Sequence, residues 1–364
     1  MLDLRISRAT RPLTDAWRAV PIAPRGSTRL GISFRPPQVE ALGLEARPAL
    51  QALLAYPFQI VRLGAYWNRI EPAPGTFDWQ ELDWQVEAAE RAGKSILLCV
   101  GALKTFSYPE FFVPAHHLDR PLPEHTLVSP TTHPALLAAA TELIARVVER
   151  YRSHPSIVAW QVEHEAVDPL GAEHSWRLAA SFVEREVTTV RQLDPGRPIV
   201  LNGFFHASLI GQVAQRWQTR DQGDSLSVAQ RLADVVGVDY YPRYALTRLG
   251  MKTLYLDGTA SVWLRRRQRQ LLAGAHAGRW KLMVTEGQAE PWEAVTVPPD
   301  PAGHGMSSCL PEQVIHNYNA WLSRSREPNP LDAYLFWGAE YWLLRSRSGD
   351  ASYLGAFARI LENA

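Results

Sequence analysis

Eight short apolar runs, each followed by a longer amphipathic stretch, recur along this 364-residue chain and restrict it to folds built on a parallel sheet. The runs are Arg29–Phe34, Gln59–Ala65, Ser95–Gly101, Ile157–Glu163, Pro198–Asn202, Val235–Tyr240, Trp280–Thr285 and Ala333–Trp337. Most are continuous in Val, Ile and Leu, as strands covered on both faces require. Between them the apolar spacing predicts helices over Glu81–Ala92, Pro134–Tyr151, Trp176–Leu193, Ser261–Ala275 and Pro311–Arg324. Leu82, Val86 and Ala89 share a face of the first; Leu137, Thr141, Ile144 and Val148 share one of the second.

Eight such units predict closure into an α/β fold of the (β/α)8 TIM-barrel type, a single domain whose length suits a barrel of typically ~250 residues with long loops. An open doubly wound sheet is the alternative, but no glycine-rich phosphate loop follows the first run. Residues 28–364 are expected to form the barrel and residues 1–27 an N-terminal arm packed on it. Two proline-rich stretches, Phe106–Pro134 and Glu290–Pro311, follow the third and seventh runs. In a barrel both belong at the C-terminal mouth, where active sites are built.

A formal net charge of +1 argues against a nucleic-acid partner. The arginine-rich run Arg265–Arg269 is expected to be a solvated helix face. Residues Met1 to Arg25 alternate charged and apolar side chains, so neither a signal peptide nor a membrane anchor is expected. Two cysteines, Cys99 and Cys309, give no disulfide framework, and the expectation is a cytoplasmic protein.

Two carboxylates stand where chemistry would be placed. Glu165 follows the fourth run in Ala159-Trp160-Gln161-Val162-Glu163-His164-Glu165, and Glu286 ends the seventh in Lys281-Leu282-Met283-Val284-Thr285-Glu286. A lone carboxylate at a strand end is usually an ordinary ion pair. Two of them, on strands that face one another across a barrel mouth, suit glycoside hydrolysis, which needs one protonated and one ionised carboxyl beside the scissile bond.

The segment Val61-Arg62-Leu63-Gly64-Ala65-Tyr66-Trp67-Asn68-Arg69-Ile70-Glu71-Pro72, continuing to Trp79, resembles the second-strand signature of clan A glycoside hydrolases. It is most similar to the catalytic barrel of family 42 β-galactosidases. Trp160-Gln161-Val162 before Glu165, Asp239-Tyr240-Tyr241-Pro242, Glu286-Gly287-Gln288 with Trp292, and Trp337 on the last run resemble further motifs of that family, in order. The resemblance spans roughly residues 28 to 345. It implies a retaining β-glycosidase with a glycoside or oligosaccharide substrate, no cofactor and no metal. Glu286 would be the nucleophile and Glu165 the acid/base, its pKa raised by burial and by the neighbouring charge. Tyr241, or Tyr240, would donate to Glu286, Arg62 would keep that carboxylate ionised, and Trp337 would floor the sugar site. Trp67, His164, Asn202 and Trp292 complete the expected sugar contacts.

The sequence departs from the family in three places. His164 stands where clan members carry Asn, which puts the sugar in doubt and introduces a group able to titrate near neutrality. Arg35-Pro36-Pro37-Gln38 replaces the usual acidic motif after the first strand, and the additional domains of full-length family 42 enzymes have no counterpart in this sequence. Glu163, two residues before Glu165, is a partner to it or the alternative acid; Asp168 reads as a turn residue. His116 and His117 lack the compact spacing of a metal site and are expected to bond a sugar or face water. A transglycosylase and a non-hydrolytic sugar-binding barrel are the rival functions.

Overall fold

A computed structural model describes residues 3–8, 15–168, 174–206, 212–213, 217, 219, 222–249, 252–291, 308–324 and 330–363. Thirteen strands are described: β1 Asp3–Arg8, β2 Arg29–Ser33, β3 Ile60–Gly64, β4 Ser95–Cys99, β5 Leu127–Val128, β6 Ile157–Gln161, β7 Arg177–Leu178, β8 Ile199–Phe204, β9 Val235–Tyr240, β10 Arg243–Leu249, β11 Lys252–Asp257, β12 Lys281–Gln288 and β13 Leu331–Trp337. Eight of them close into a barrel in the order β12-β13-β2-β3-β4-β6-β8-β9. These eight coincide with the eight apolar runs, and each barrel strand neighbours the next in sequence. The chain is a TIM barrel.

By packing, the chain falls into two compact units, one of residues 1–59, 205–212 and 238–364, the other of 60–204 and 213–237. In the second unit β3, β4, β6 and β8 pair in parallel, with Val61 opposite Ile96 and Trp160 opposite Ile199. Every residue of β3 is buried, which accounts for its unbroken apolar run. In the first unit β12, β13 and β2 are parallel. The β12/β13 register slips between Val284 and Gly287, an irregularity that falls on Thr285 and Glu286. Bulges of this kind re-aim side chains beside active sites.

The predicted helices form at Gln80–Arg91, Pro134–Tyr151, Ala180–Leu193, Val262–His276 and Pro311–Leu322. In Pro134–Tyr151 the buried stripe is Leu136, Ala140, Leu143, Ile144, Val147, Val148 and Tyr151, rotated from the expected one. Thr141 is only part-buried and bonds back to the Leu137 carbonyl at 2.9 Å. The alanine-rich first half of this helix offers little contrast between faces, so the spacing alone fitted two stripes.

Elements outside the apolar runs include an antiparallel sheet, β1-β11-β10, in which Asp3–Arg8 pairs with Lys252–Asp257. Both cysteines are buried thiols, and Cys99 is pushed up to about 12 by burial. Among the described residues no helix is long and apolar enough to cross a membrane.

Candidate active site

In the second unit, β6 ends at Gln161 and the chain turns sharply before Glu165. Glu163 and Glu165 both take positive φ, 55° and 44°. Side chains with a Cβ rarely adopt that region, and it costs roughly 1–3 kcal/mol per residue where surroundings enforce it. The surroundings here are specific. Glu163 accepts the backbone N–H groups of Leu103 and Lys104 at 2.9 and 2.5 Å, tying the loop after β4 to the end of β6. A Cβ on Gly101 would meet the Glu163 nitrogen at 2.2 Å, so only glycine permits this approach. Lys104 Nζ donates to the Glu165 carbonyl at 2.9 Å, and the Asn202 amide oxygen accepts the Glu165 N–H at 3.3 Å. Glu163 is 1% exposed and acts as a loop anchor.

His164 is 5% exposed, and its Nδ1 faces two donors, Asn202 Nδ2 at 3.0 Å and Arg62 Nη2 at 3.5 Å. Asn202 Oδ1 is itself engaged by Gln161 Nε2 at 3.1 Å, which fixes the amide orientation. Nδ1 is therefore the acceptor and Nε2 carries the proton. Burial first, and then the charges of Arg62 and Lys104, hold His164 well below the usual histidine range. Burial, with the adjacent cations, thus opposes the titration near neutrality that the residue type suggests and favours the neutral ring. Arg62 donates to Gln161 Oε1 at 2.7 Å and lies over the Phe106 ring at 3.8 Å.

Asp168 is fully buried and accepts the backbone N–H of Ser225 at 3.0 Å; burial pushes it up to about 6. Glu186, on the helix Ala180–Leu193, is buried against Glu163. Its carboxyl oxygens have no well-formed hydrogen bond, yet burial and the Glu163 charge raise it well above the ordinary carboxylate range. Burial beside Glu163 thus favours the protonated form of Glu186 in the fold. Stability from such a group is complete below the unfolded carboxylate range, near ~4.3, and is lost as pH rises through the folded value. Glu186→Gln should be more stable than the wild type at pH 8 by about 1–3 kcal/mol and nearly equal at pH 4. Urea unfolding of the two proteins at both pH values checks this; curves that keep a constant separation would rule it out.

In the first unit, Tyr241 donates from its hydroxyl to Glu286 Oε2 at 2.8 Å. Burial, followed by the Glu286 and Asp239 charges, pushes that phenol well above its usual range, so it remains a donor. Glu286 is 2% exposed. Beneath it, the Thr285 hydroxyl donates to Asp239 Oδ1 at 2.7 Å and fixes the bulged segment against β9.

Arg35, two residues past the first barrel strand and just before the helix Pro36–Ala41, has partners that the sequence did not reveal. Its guanidinium bonds Glu340 Oε2 at 2.6 Å and Glu290 Oε1 at 3.0 Å, and lies over the Trp337 ring at 3.9 Å. All three charged groups are at most 2% exposed. Burial, offset in part by Arg35 and reinforced by Glu340, pushes Glu290 up to about 7. Gly338 takes φ 132°, and a Cβ there would meet the Glu290 Cβ at 2.5 Å. Arg35 thus joins a buried charged cluster to the face of Trp337. Its partners lie 255 and 305 residues away, beyond the reach of local pattern reading.

Tyr66, Trp67, Phe106, Phe112, Tyr341 and Trp342 are buried. Trp337 is 8% exposed, and Trp292 lies outside the described residues. Trp67 donates its indole N–H to Glu71 Oε2 at 2.8 Å. His117 Nε2 reaches the same oxygen at 2.8 Å, and His116 Nε2 stands 3.5 Å from Glu71 Oε1. Burial acts to raise Glu71, but bonds from His117, Trp67 and the Gly75 N–H outweigh it and hold the carboxylate at about 2.

Residues 49–182 match the glycoside hydrolase family 42 model, described as beta-galactosidase. Over that stretch the chain is similar to the family 42 glycoside hydrolases. The matched stretch carries β3, β4, β6 and Glu165 and stops short of Glu286. The beta-galactosidase BgaB of a Geobacillus species is 29% identical over 115 residues, 29% of this chain and 17% of that protein. The beta-galactosidase BgaH of Haloferax lucentense is 27% identical over 116 residues, again 17% of its length. The alignments therefore span about a sixth of the curated relatives they match. Among solved structures, xylanase 10B of Thermotoga petrophila shares the fold at 14% identity, with a TM-score of 0.55 and coverage of 92% of this chain and 94% of that one. GH5_18 from Streptomyces cattleya does so at 14% identity and a TM-score of 0.57, covering 86% and 71%.

Proposed function

We propose that the chain is a retaining β-glycosidase, with Glu286 as nucleophile and Glu165 as acid/base. The observation that carries this reading is the end of the seventh barrel strand, where a bulge turns a buried Glu286 onto the Tyr241 hydroxyl. A donor held protonated beside the carboxylate orients it. In the first step a Glu286 oxygen bonds to the anomeric carbon while Glu165 gives its proton to the departing glycosidic oxygen. In the second, Glu165 takes a proton from water, the water oxygen bonds to the anomeric carbon, and Glu286 leaves. The two carboxyls of such a pair stand ~5–5.5 Å apart.

The remaining roles follow from the chemistry of each half. His164, neutral and protonated on Nε2, offers a sugar hydroxyl a donor where the clan offers an amide. Asn202 and Arg62 hold that ring, and Asn202 also fixes the Glu165 backbone. Trp337, steadied by Arg35, supplies an apolar face to a sugar ring. Trp67 and Trp292 are kept as sugar contacts on resemblance alone, the Trp67 indole N–H being engaged by Glu71. A cytoplasmic site of action fits the two thiols, Cys99 and Cys309.

Aryl β-galactosides are the first substrates to test, because the relatives bear that name, followed by glucosides and mannosides. Proton NMR of the first-formed sugar should show the β-anomer. An α-anomer as first product would exclude double displacement, and binding without turnover across the panel would favour a sugar-binding barrel. A transglycosylase would pass the sugar to an added acceptor in preference to water.

A further inference from the structure

Glu71, His116 and His117 present one ligand atom each, all within 4.8 Å of one another. Glu71 follows the short helix Trp67–Ile70 after β3, and the two histidines form the 3-10 turn Ala115–His117 in the long segment after β4. From these residues we infer that the protein binds one zinc-type divalent ion here, clamping the loop after the second barrel strand to the loop after the third. The inference is independent of the catalytic assignment.

Two imidazoles and a carboxylate are a ligand set that zinc and its first-row neighbours favour. Ligand atoms on a tetrahedral zinc with bonds of about 2.0–2.1 Å stand roughly 3.3 Å apart. His117 Nε2 stands 2.8 Å from Glu71 Oε2 and His116 Nε2 stands 3.5 Å from Glu71 Oε1, on either side of that value. One oxygen and the two ring nitrogens lie within 4.8 Å of one another, so an ion would complete three bonds by drawing the rings and the carboxylate together by about 1.5 Å at most. Adjacent residues seldom ligate together in a helix or strand, but the tight turn sets the two rings 4.5 Å apart with both Nε2 atoms toward Glu71.

The support around the carboxylate is already built. Trp67 Nε1 donates to Glu71 Oε2 at 2.8 Å and the Gly75 N–H donates to Oε1 at 3.0 Å. The Trp67 ring also lies against His117 in a tilted contact with ring centroids 4.5 Å apart. Such outer partners orient ligands and sustain affinity. Glu71 is 7% exposed while His116 and His117 are 21% and 22% exposed, so the ion has a path from solvent and water can supply a fourth ligand. Neither spacing nor motif signals this set in the sequence, because the ligands meet only through two loops.

The test uses the full chain stripped with EDTA and titrated with Zn2+ against a competing chromophoric chelator at pH 7.5. One equivalent should bind, Tm should rise on binding, and Co2+ should give a visible d–d spectrum. His117→Ala and His116→Asn should each weaken Zn2+ at least tenfold, with Trp67→Phe weakening it about 10- to 100-fold as loss of an outer partner does. Unchanged circular dichroism separates lost binding from lost fold, and His116→Asn serves if His117→Ala does not fold. Absence of stoichiometric Zn2+ binding would overturn the inference, leaving the histidines as hydrogen-bond partners of Glu71. Binding undiminished in both histidine variants would overturn it equally, since the ion would then sit elsewhere.

Discussion

Replacing Glu286 by alanine is expected to lower kcat on an aryl β-glycoside by roughly four orders of magnitude or more, the scale on which one member of a covalent catalytic set acts. The loss should be in chemistry. Glu286 is 2% exposed and accepts from Tyr241, so its removal deletes the attacking oxygen and leaves the phenol without that acceptor. Azide fits the vacated space and can bond to the anomeric carbon directly, so activity should return in part as the α-glycosyl azide. With Glu165→Ala the geometry of rescue reverses. The glycosyl–Glu286 intermediate still forms from a substrate with a good leaving group, and azide then gives the β-glycosyl azide. Turnover of Glu286→Ala at the wild-type rate would remove this residue from the mechanism.

The largest stability effect is expected at Arg35. Its guanidinium is the cation that the buried Glu290 and Glu340 share at 3.0 and 2.6 Å. Building such a cluster gains little net energy, because three charges leave water, but removing one partner strands the others. Arg35→Ala should cost about 3–5 kcal/mol in urea unfolding at pH 8. Arg35→Lys should recover only part of this, since one ammonium cannot bond both carboxylates as the planar fork does. The pH dependence has a definite sign. Glu290 is already raised to about 7, above its unfolded value, so its contribution is complete below the unfolded carboxylate range and is lost as pH rises through 7. Without Arg35, Glu290 rises further and takes up a proton more readily, so the deficit should shrink at pH 5. A deficit independent of pH would mean that Arg35 acts through packing on Trp337.

The barrel was legible because parallel strands covered on both faces must be apolar throughout, and β3, β9 and the rest carry that mark in consecutive residues. The β1-β11-β10 sheet was not, because its pairing joins Asp3–Arg8 to Lys252–Asp257 across most of the chain. The same distance hid Arg35 from Glu290 and Glu340. At the fourth strand the sequence showed two candidate acids, Glu163 and Glu165, but not the contacts that hold each. Both take positive φ, and the Glu163 carboxylate accepts backbone N–H groups of the loop after β4. His164 posed the opposite problem. Its residue type promises titration near neutrality, and only the positions of Arg62, Lys104 and Asn202 show why the ring stays neutral. Glu71, His116 and His117 lacked any local spacing, since two loops bring them together.

The pairing of Glu286 as nucleophile with Glu165 as acid/base is tested most directly by trapping the covalent intermediate. A 2-deoxy-2-fluoro β-glycoside with a good leaving group slows the second displacement more than the activated first one, so the glycosyl-enzyme accumulates. Intact mass spectrometry should show one added fluorosugar per chain, and peptide mapping should place it on Glu286, with no adduct in Glu286→Ala. An adduct on Glu163, Glu165 or Glu290 would contradict the assignment. So would turnover of the fluorosugar with no adduct at any stage.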